Sequence, residues 1–244
     1  MIKFDPDKNA LFEPTNLDLV GHPTKAIMIF DDEVWEDYIQ DQNNIEVLAV
    51  KNSRGRLLDG YSMYKYDEEN ILLISPSTGG AGSATDMELL IASGIDKIVS
   101  FGTCGAMYKK IAKNTIIIPT SAFREEGVSY HYLPPADEIN QNENSINIMN
   151  KLFSQNNIQS INGKIWTTDA VFRETANKLK DMKENGCVAV DMELASLIAV
   201  AQFRNIDFAG FLITDDNIDG NSTVENERNL AKLFQMALEI VNSL

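Results

Sequence analysis

Short runs of apolar and β-branched residues, bounded by turn residues, recur along the chain. Each run is apolar on both faces, as strands are when helices cover both sides of a sheet. The pattern predicts buried strands at AIMIF (26–30), IEVLAV (45–50), ILLIS (71–75), KIVSFGT (97–103), TIIIPT (115–120), KIWTT (164–168) and FAGFLIT (208–214).

Helical periods separate several of these runs. In the segment 83–93, Met87, Leu90 and Ile91 fall on one face and Gly94 follows the last turn, so a helix is predicted there. Residues 191–203 are mostly apolar, which predicts a largely buried helix.

The last helix has the clearest pattern. Ser222 and Glu225 have the spacing of a capping box, which predicts where this helix begins. An apolar stripe at helical spacing follows, formed by Leu230, Phe234, Leu238 and Val241.

Strands that alternate with helices predict an α/β fold. We expect a single domain over residues 1–244, a three-layer α/β/α arrangement around a central mixed, mostly parallel sheet. The polar stretch 134–144 is predicted to be an exposed loop that leads into a helix. Because ligands of such sheets bind at the carboxyl ends of the strands, the functional site is expected there.

The charge balance excludes some partners. The 244 residues include 36 acidic and 21 basic side chains, a formal net charge of −15. Nucleic acids and anionic membranes are bound by clustered lysine and arginine, so neither is an expected partner. A single phosphate is compatible with this balance, because helix N-termini and a few local cations can hold it. No apolar run reaches ~18 residues and no secretion signal opens the chain, so it is predicted to be cytoplasmic.

Cysteine and histidine are scarce. Cys104 and Cys187 are the only cysteines, and His22 and His131 are the only histidines. They form neither a CxxC pair nor an HExxH motif, which predicts no metal site, no disulfide framework and a reducing compartment.

Two glycine-rich segments end predicted strands. In ISPSTGGAGSATDMELLIASG (74–94), Gly79, Gly80 and Gly82 permit close approach of the backbone to a ligand, although an ordinary strand-to-helix turn has the same composition. In KIVSFGTCGAM (97–107), Thr103 offers a hydroxyl donor, and Cys104 is either a small buried thiol or a nucleophile.

Two further segments carry carboxylates and an aromatic residue. Asp191 and Glu193 lie early in the predicted apolar helix, where they either interact with the helix dipole or bind a ligand. Phe172 is either a platform for a flat ligand or a core residue. Asp215 and Asp216 follow a buried strand, so either a general acid or a solvated turn is expected there.

Together these segments resemble the nucleoside phosphorylase/nucleosidase superfamily, which includes purine nucleoside and uridine phosphorylases and methylthioadenosine/adenosylhomocysteine nucleosidases. The resemblance runs from GHPTKA (21–26) to the C-terminal helix. Its most specific motifs are FGTCGAM, REEGVSYHYLPP (124–135), WTTDAVFRET (166–175) and VDMELASL (190–197). It implies cleavage of the N-glycosidic bond of a nucleoside through an oxocarbenium-like sugar, with phosphate as the usual nucleophile and no other cofactor.

The resemblance also implies roles for single residues. Glu193 would accept hydrogen bonds from the ribose hydroxyls, Met192 would pack under the sugar, and Phe172 would stack on the base. Asp215 would be the general acid that protonates the departing base, supported by Arg228. Because such an aspartate is typical of purine-specific members, a purine ribonucleoside is the expected substrate, with a uridine-specific phosphorylase as an alternative.

The phosphate site is also assigned by resemblance. Gly21 and Lys25 match a glycine and an arginine of the family's phosphate site, and Thr103 matches its hydroxyl donor. Arg54 or, as we predict, Arg56 would be the arginine that a neighbouring subunit usually supplies.

One residue departs from the pattern of the phosphorylases. Ser100 stands where many of them carry an arginine, so a bidentate contact to an anion is missing. Phosphorolysis to free base and ribose 1-phosphate is the leading prediction. The alternative is a nucleosidase in which a carboxylate activates water, with Glu13 as a candidate base. A nucleoside-binding protein without catalysis is a third hypothesis.

The resemblance further implies a homo-oligomer, dimer-based and up to a hexamer. His131 and Arg124, in the motif REEGVSYHYLPP, would then face either the ligand or another subunit.

Overall fold

The computed structural model describes residues 4–17, 19, 21–39, 43, 45–48, 62–66, 69–220 and 224–244. Its strands are β1 (Lys25–Phe30), β2 (Ile45–Leu48), β3 (Ser62–Tyr66), β4 (Ile71–Ser75), β5 (Lys97–Ala106), β6 (Ile116–Glu125), β7 (Glu138–Asn140), β8 (Ser160–Thr168), β9 (Cys187–Asp191) and β10 (Asp207–Asn217). Its α-helices are α1 (Asp32–Asp37), α2 (Gly80–Ala92), α3 (Ser129–Tyr132), α4 (Glu143–Gln155), α5 (Ala176–Glu184), α6 (Leu194–Arg204) and α7 (Leu230–Ser243).

The strands form one mixed sheet in the order β10-β6-β8-β9-β5-β1-β4-β3-β2, with β7 paired to β6. Strands β4, β1, β5 and β10 are parallel to one another, and so are β6, β8 and β9. Antiparallel pairings of β10 with β6 and of β5 with β9 join the two sets. Because β10 also pairs with β5, five strands close on themselves, and the carboxyl ends of β1, β5 and β10 meet at one edge.

Helices cover both faces of the sheet, which confirms the three-layer α/β/α arrangement. On one face α2 and α6 pack on the sheet through residues such as Leu90 and Leu197. On the other face α4 and α7 pack on it through residues such as Met149 and Ile240. Burial of these apolar side chains is the main favourable term that holds the layers together.

All seven predicted strands are present. The structure adds β3, β7 and β9, of which β7 lies inside the stretch 134–144 that was predicted to be a loop. Strand β9 was missed because its apolar residues run directly into those of α6. The last two residues of the run 45–50 lie outside the described residues.

The start of the last helix differs from the prediction. Helix α7 begins at Leu230, and the side chain of Asn229 accepts a hydrogen bond from the Lys232 backbone N–H at 2.9 Å. The predicted start at Ser222 and Glu225 is therefore wrong, although Ser222 itself lies outside the described residues. Glu225 instead forms a β-bridge with Lys113, which keeps this stretch of chain extended. Among the described helices, none is long and apolar enough to cross a membrane.

We predict that Gly102→Ala destabilises the protein by about 1–3 kcal/mol, since overpacking forces neighbouring atoms apart. A Cβ added at Gly102 would lie 2.5 Å from the Phe30 Cβ and 2.8 Å from the Phe30 carbonyl oxygen, where β5 pairs with β1. Chemical denaturation measures the change. Gly127→Ala is the control, because its Cβ meets no atom closer than the Asp169 Oδ2 at 3.7 Å. Equal stability of the two variants would contradict this packing argument.

Candidate active site

A cavity of about 510 Å³ opens where strands β1, β5 and β10 end. Its lining includes eight of the side chains singled out from the sequence: Thr103, Cys104, Asp191, Met192, Glu193, Asp215, Asp216 and Arg228. These residues lie in four separate stretches of the chain, and the parallel strands bring them together at one edge of the sheet.

The turn between β9 and α6 fixes Glu193. Asp191 ends β9, and its Oδ2 accepts hydrogen bonds from the backbone N–H groups of Leu194 at 2.7 Å and Glu193 at 3.3 Å. Its Oδ1 accepts from the Thr167 hydroxyl at 2.6 Å. Asp191 therefore satisfies the free backbone donors at the start of α6. Glu193 lies just before this helix, one residue ahead of its first turn, and not inside it as predicted.

The glycine-rich turn before α2 holds the Glu193 carboxylate. The backbone N–H of Gly79 donates to Glu193 Oε1 at 2.6 Å. Gly79 has a φ of +86°, a backbone conformation that residues other than glycine rarely adopt. The sequence left two interpretations of this turn open, a ligand-binding loop and an ordinary strand-to-helix turn, and in the structure the turn orients a carboxylate that lines the cavity.

Asp191 and Glu193, in the turn between β9 and α6, both have raised pKa values. Burial raises the pKa of Glu193 to about 7, and the negative charge of Asp191 adds to the effect, while the hydrogen bond from Gly79 opposes it. Burial likewise raises the pKa of Asp191, against the hydrogen bonds from Thr167 and the backbone. The two groups therefore hold protons at higher pH than exposed carboxylates do.

Arg228 forms the charged wall of the cavity. Its side chain is 12% exposed. Its Nη2 pairs with Asp31 Oδ2, and its Nη1 lies 3.2 Å from Glu33 Oε2 and 3.5 Å from Asp215 Oδ1. One guanidinium is thus shared among three carboxylates from two ends of the chain.

A backbone strip sets the position of Arg228. The Lys113 N–H donates to the Val224 carbonyl at 3.1 Å, and the Asn226 N–H donates to the Lys113 carbonyl at 3.0 Å. The Asn114 side chain also donates to the Asn226 carbonyl at 2.9 Å. These bonds tie the segment before α7 to the loop before β6, so Arg228 enters the cavity from a fixed backbone.

Asp215 and Asp216 both reach the cavity because β10 is irregular there. The register of β10 against β5 shifts between Thr214 and Asp216, and such a bulge re-aims side chains that would otherwise alternate. Asp215 is 46% exposed and lies 3.4 Å from the Lys113 Nζ. Partial burial raises the pKa of Asp216, and the charge of Asp215 raises it further, while Lys113 opposes both effects.

Phe172 does not line the cavity. It lies in the turn Val171–Arg173 with a relative exposure of 97%, pointing away into solvent. Its neighbours Val171 and Glu174 line the cavity instead. The prediction selected the aromatic residue of the motif, whereas the backbone turn presents the adjacent valine.

The predicted phosphate residues do not assemble here. Lys25 begins β1, roughly 16 Å from the carboxyl end of the strand at 3.3 Å per residue, and Gly21 lies four residues before it. The Lys25 Nζ instead donates to Asn242 Oδ1 at 2.6 Å. Arg54 and Arg56 lie outside the described residues. Of this group only Thr103 lines the cavity.

Several other candidates have structural roles or lie elsewhere. Burial raises the pKa of the Cys104 thiol, so this residue is the small buried thiol of the two alternatives. The buried Arg124 donates to the Ser129 hydroxyl at 2.7 Å. His131 and Glu13 are exposed, and neither lines the cavity.

Sequence reasoning missed the acidic residues that follow β1. Asp31, Asp32 and Glu33 all line the cavity. The signal was present, because DDE follows the apolar run AIMIF just as Asp215 and Asp216 follow FAGFLIT. In the described part of the chain, no group of three His, Cys, Asp or Glu side chains is arranged to hold a metal ion.

Comparisons with known proteins agree with this architecture. The sequence profile of the Phosphorylase superfamily matches residues 24–242. The chain is 25% identical over 224 residues to a DeoD-type purine nucleoside phosphorylase of Buchnera aphidicola, covering 88% of this chain and 93% of that protein. It is 24% identical over 200 residues to a guanosine phosphorylase of Halorubrum lacusprofundi, covering 79% and 76%.

Solved structures share the fold. An AMP nucleosidase from Bacteroides thetaiotaomicron superposes with a TM-score of 0.72 at 18% identity, over 90% of this chain and 88% of that one. A uridine phosphorylase from Vibrio fischeri superposes with a TM-score of 0.70 at 18% identity, over 91% of each chain. With the profile match over most of its length, the chain belongs to the Phosphorylase superfamily.

The raised pKa of Glu193 predicts how stability depends on pH. A carboxyl group whose pKa is higher in the folded protein than in the unfolded chain binds more protons when folded, so stability falls as pH rises between the two values. For Glu193 that window runs from its ordinary value of 4.5 to about 7. We expect Glu193→Gln to flatten the fall in melting temperature across this window, as measured by calorimetry. A parallel curve for wild type and variant would refute the prediction.

Proposed function

We propose that this chain cleaves the N-glycosidic bond of a nucleoside in the cavity at the ends of β1, β5 and β10. The observation that carries the proposal is that Glu193, fixed by Gly79, shares one cavity with the carboxyl pair Asp215 and Asp216. A carboxylate that accepts hydrogen bonds can bind the ribose hydroxyls, and a protonated carboxyl group can deliver a proton to the departing base. Met192 lines the same cavity and would pack against the sugar.

We propose a purine ribonucleoside as the substrate. The two relatives compared above are named as purine nucleoside and guanosine phosphorylases, which supports this choice. A proton donor beside the base serves purines well, because a purine leaves more readily once a ring nitrogen is protonated. Val171, and not Phe172, would contact the base from the turn after β8.

We propose water as the nucleophile. The register of β1 against β5 pairs Phe30 with Gly102, which places Asp31 beside Thr103. A phosphate bound at Thr103 would therefore meet the carboxylates that follow β1, and like charges repel. Water is neutral and can be activated by a carboxylate, for which Asp32 and Glu33 are candidates at the cavity wall.

Phosphorolysis is the second candidate. The Thr103 hydroxyl and the names of the compared relatives favour it. It requires cations that outweigh the carboxylates after β1, and Arg228 already pairs with two of these, Asp31 and Glu33, as well as with Asp215.

Base release is predicted to proceed in phosphate-free buffer and to yield ribose. Inosine, adenosine, guanosine and uridine, each with and without phosphate, are the substrates to compare, with base release followed by chromatography. We expect the purine nucleosides to react and phosphate to raise the rate less than twofold. Base release that requires phosphate and yields ribose 1-phosphate would establish phosphorolysis instead.

We propose Asp216 as the member of the carboxyl pair that holds the proton, whereas the family resemblance pointed to Asp215. Asp215 lies beside two cations, with the Lys113 Nζ at 3.4 Å and the Arg228 Nη1 at 3.5 Å from its Oδ1. Asp216 has a raised pKa, and its main causes are burial and the charge of Asp215. A general acid must carry a proton, so the group with the raised pKa is the better candidate for that role.

Isosteric variants at the two positions separate their roles. We expect Asp216→Asn to lower kcat for guanosine by about 10²–10⁴, the usual contribution of a general acid, and Asp215→Asn to lower it less. The test includes 7-methylguanosine, whose base already carries a positive charge and leaves without protonation. Asp216→Asn should cleave 7-methylguanosine at nearly the wild-type rate. The reverse ranking of the two variants on guanosine would assign the acid to Asp215.

A further inference from the structure

We propose that Asp31 is a positioning residue, which holds Arg228 in place and thereby decides which carboxyl group of the Asp215 and Asp216 pair carries the proton. The proposal deepens the proposed function and rests on it. It concerns a contact between residues 197 positions apart in the chain.

Both carboxylate oxygens of Asp31 have partners inside the protein. Its Oδ1 accepts the backbone N–H of Val34 at 3.3 Å, which caps helix α1. Its Oδ2 pairs with the Arg228 Nη2, and the side chain of Asp31 is fully buried. A buried carboxylate requires a compensating charge, so Asp31 and Arg228 hold each other inside the protein.

The remaining contacts of Arg228 are weaker anchors. Glu33 is 58% exposed, and a pair with so exposed a partner contributes little. Asp215 lies at 3.5 Å and is itself open to the cavity. Asp31 is thus the contact that keeps the guanidinium at the cavity wall and turned toward Asp215.

The position of Arg228 then acts on the carboxyl pair. The Arg228 Nη1 lies 3.5 Å and the Lys113 Nζ 3.4 Å from the Asp215 Oδ1, so two cations face this carboxyl group. Asp216 faces the negative charges of Asp215 and Glu174, with Cys104 near it and Lys113 as the opposing cation. Because two close carboxyl groups compete for one proton, cations at Asp215 direct that proton to Asp216.

The variant Asp31→Asn tests this chain of effects, since asparagine still accepts the helix-capping hydrogen bond but carries no charge. Without its buried counter-charge Arg228 turns to solvent, and Asp215 competes for the proton. Asp216 then loses its proton at lower pH. Turnover of guanosine needs the protonated acid, so the decline of kcat on the basic side of its pH profile should shift to lower pH by about one unit. At neutral pH, kcat should then fall about tenfold. KM should change less than twofold.

Three further variants separate positioning from a structural role. Asp37→Asn, in the same helix but exposed, controls for the loss of one negative charge and should leave the profile unchanged. Arg228→Met should shift the limb in the same direction as Asp31→Asn. The double variant should match Arg228→Met alone, because Asp31 acts only through Arg228. Additive shifts in the double variant, or an unshifted profile in Asp31→Asn, would overturn the proposal.

A second measurement does not depend on turnover. Carboxyl ¹³C titrations by NMR should show the Asp216 midpoint at lower pH in Asp31→Asn than in wild type. If no nucleoside is cleaved by the wild type, the proposed function fails, while this titration still decides the role of Asp31. An unchanged Asp216 midpoint would overturn the role of Asp31 even in an active enzyme.

Discussion

The pairing of Arg228 with Asp31 joins the two ends of the fold at the candidate site. Asp31 follows the first strand of the sheet, and Arg228 precedes the last helix. Neither side chain is stable in the protein interior alone, because a buried charge without a partner is costly. The same guanidinium also lies 3.2 Å from Glu33 and 3.5 Å from Asp215 at the cavity wall.

Much of the fold could be predicted from the pattern of apolar residues. Runs that are apolar on both faces gave the buried strands, and the rule that ligands bind at strand ends located the cavity before any side chain was placed. Thr103 and Asp215 were found because each ends or follows such a run, and Glu193 because it is a carboxylate early in an apolar helix. Strand β9 was not predicted, because its five mostly apolar residues precede an apolar helix and the hydrophobic pattern shows no change of period between them.

Three features of the site could not be predicted from the sequence, each for a physical reason. Lys25 was assigned through the motif GHPTKA, but it is the first residue of β1, and only the other end of that strand reaches the cavity. Phe172 was chosen as an aromatic residue, although the local turn decides which side chain faces inward. The pairing of Asp31 with Arg228 spans 197 residues and leaves no periodic signal in the sequence.

The carboxylates that line the cavity suit the proposed cleavage of a glycosidic bond, which the net charge of the chain alone does not indicate. A net charge of −15 seemed only to exclude polyanions. At the cavity, however, carboxylates from β1, β9 and β10 surround the place where the sugar would bind. Cleavage of a glycosidic bond develops positive charge on the sugar, and fixed negative groups stabilise that charge. Under the proposed function, the field that repels a phosphate dianion also stabilises this positive charge, which leaves water, a weak neutral nucleophile, to complete the reaction.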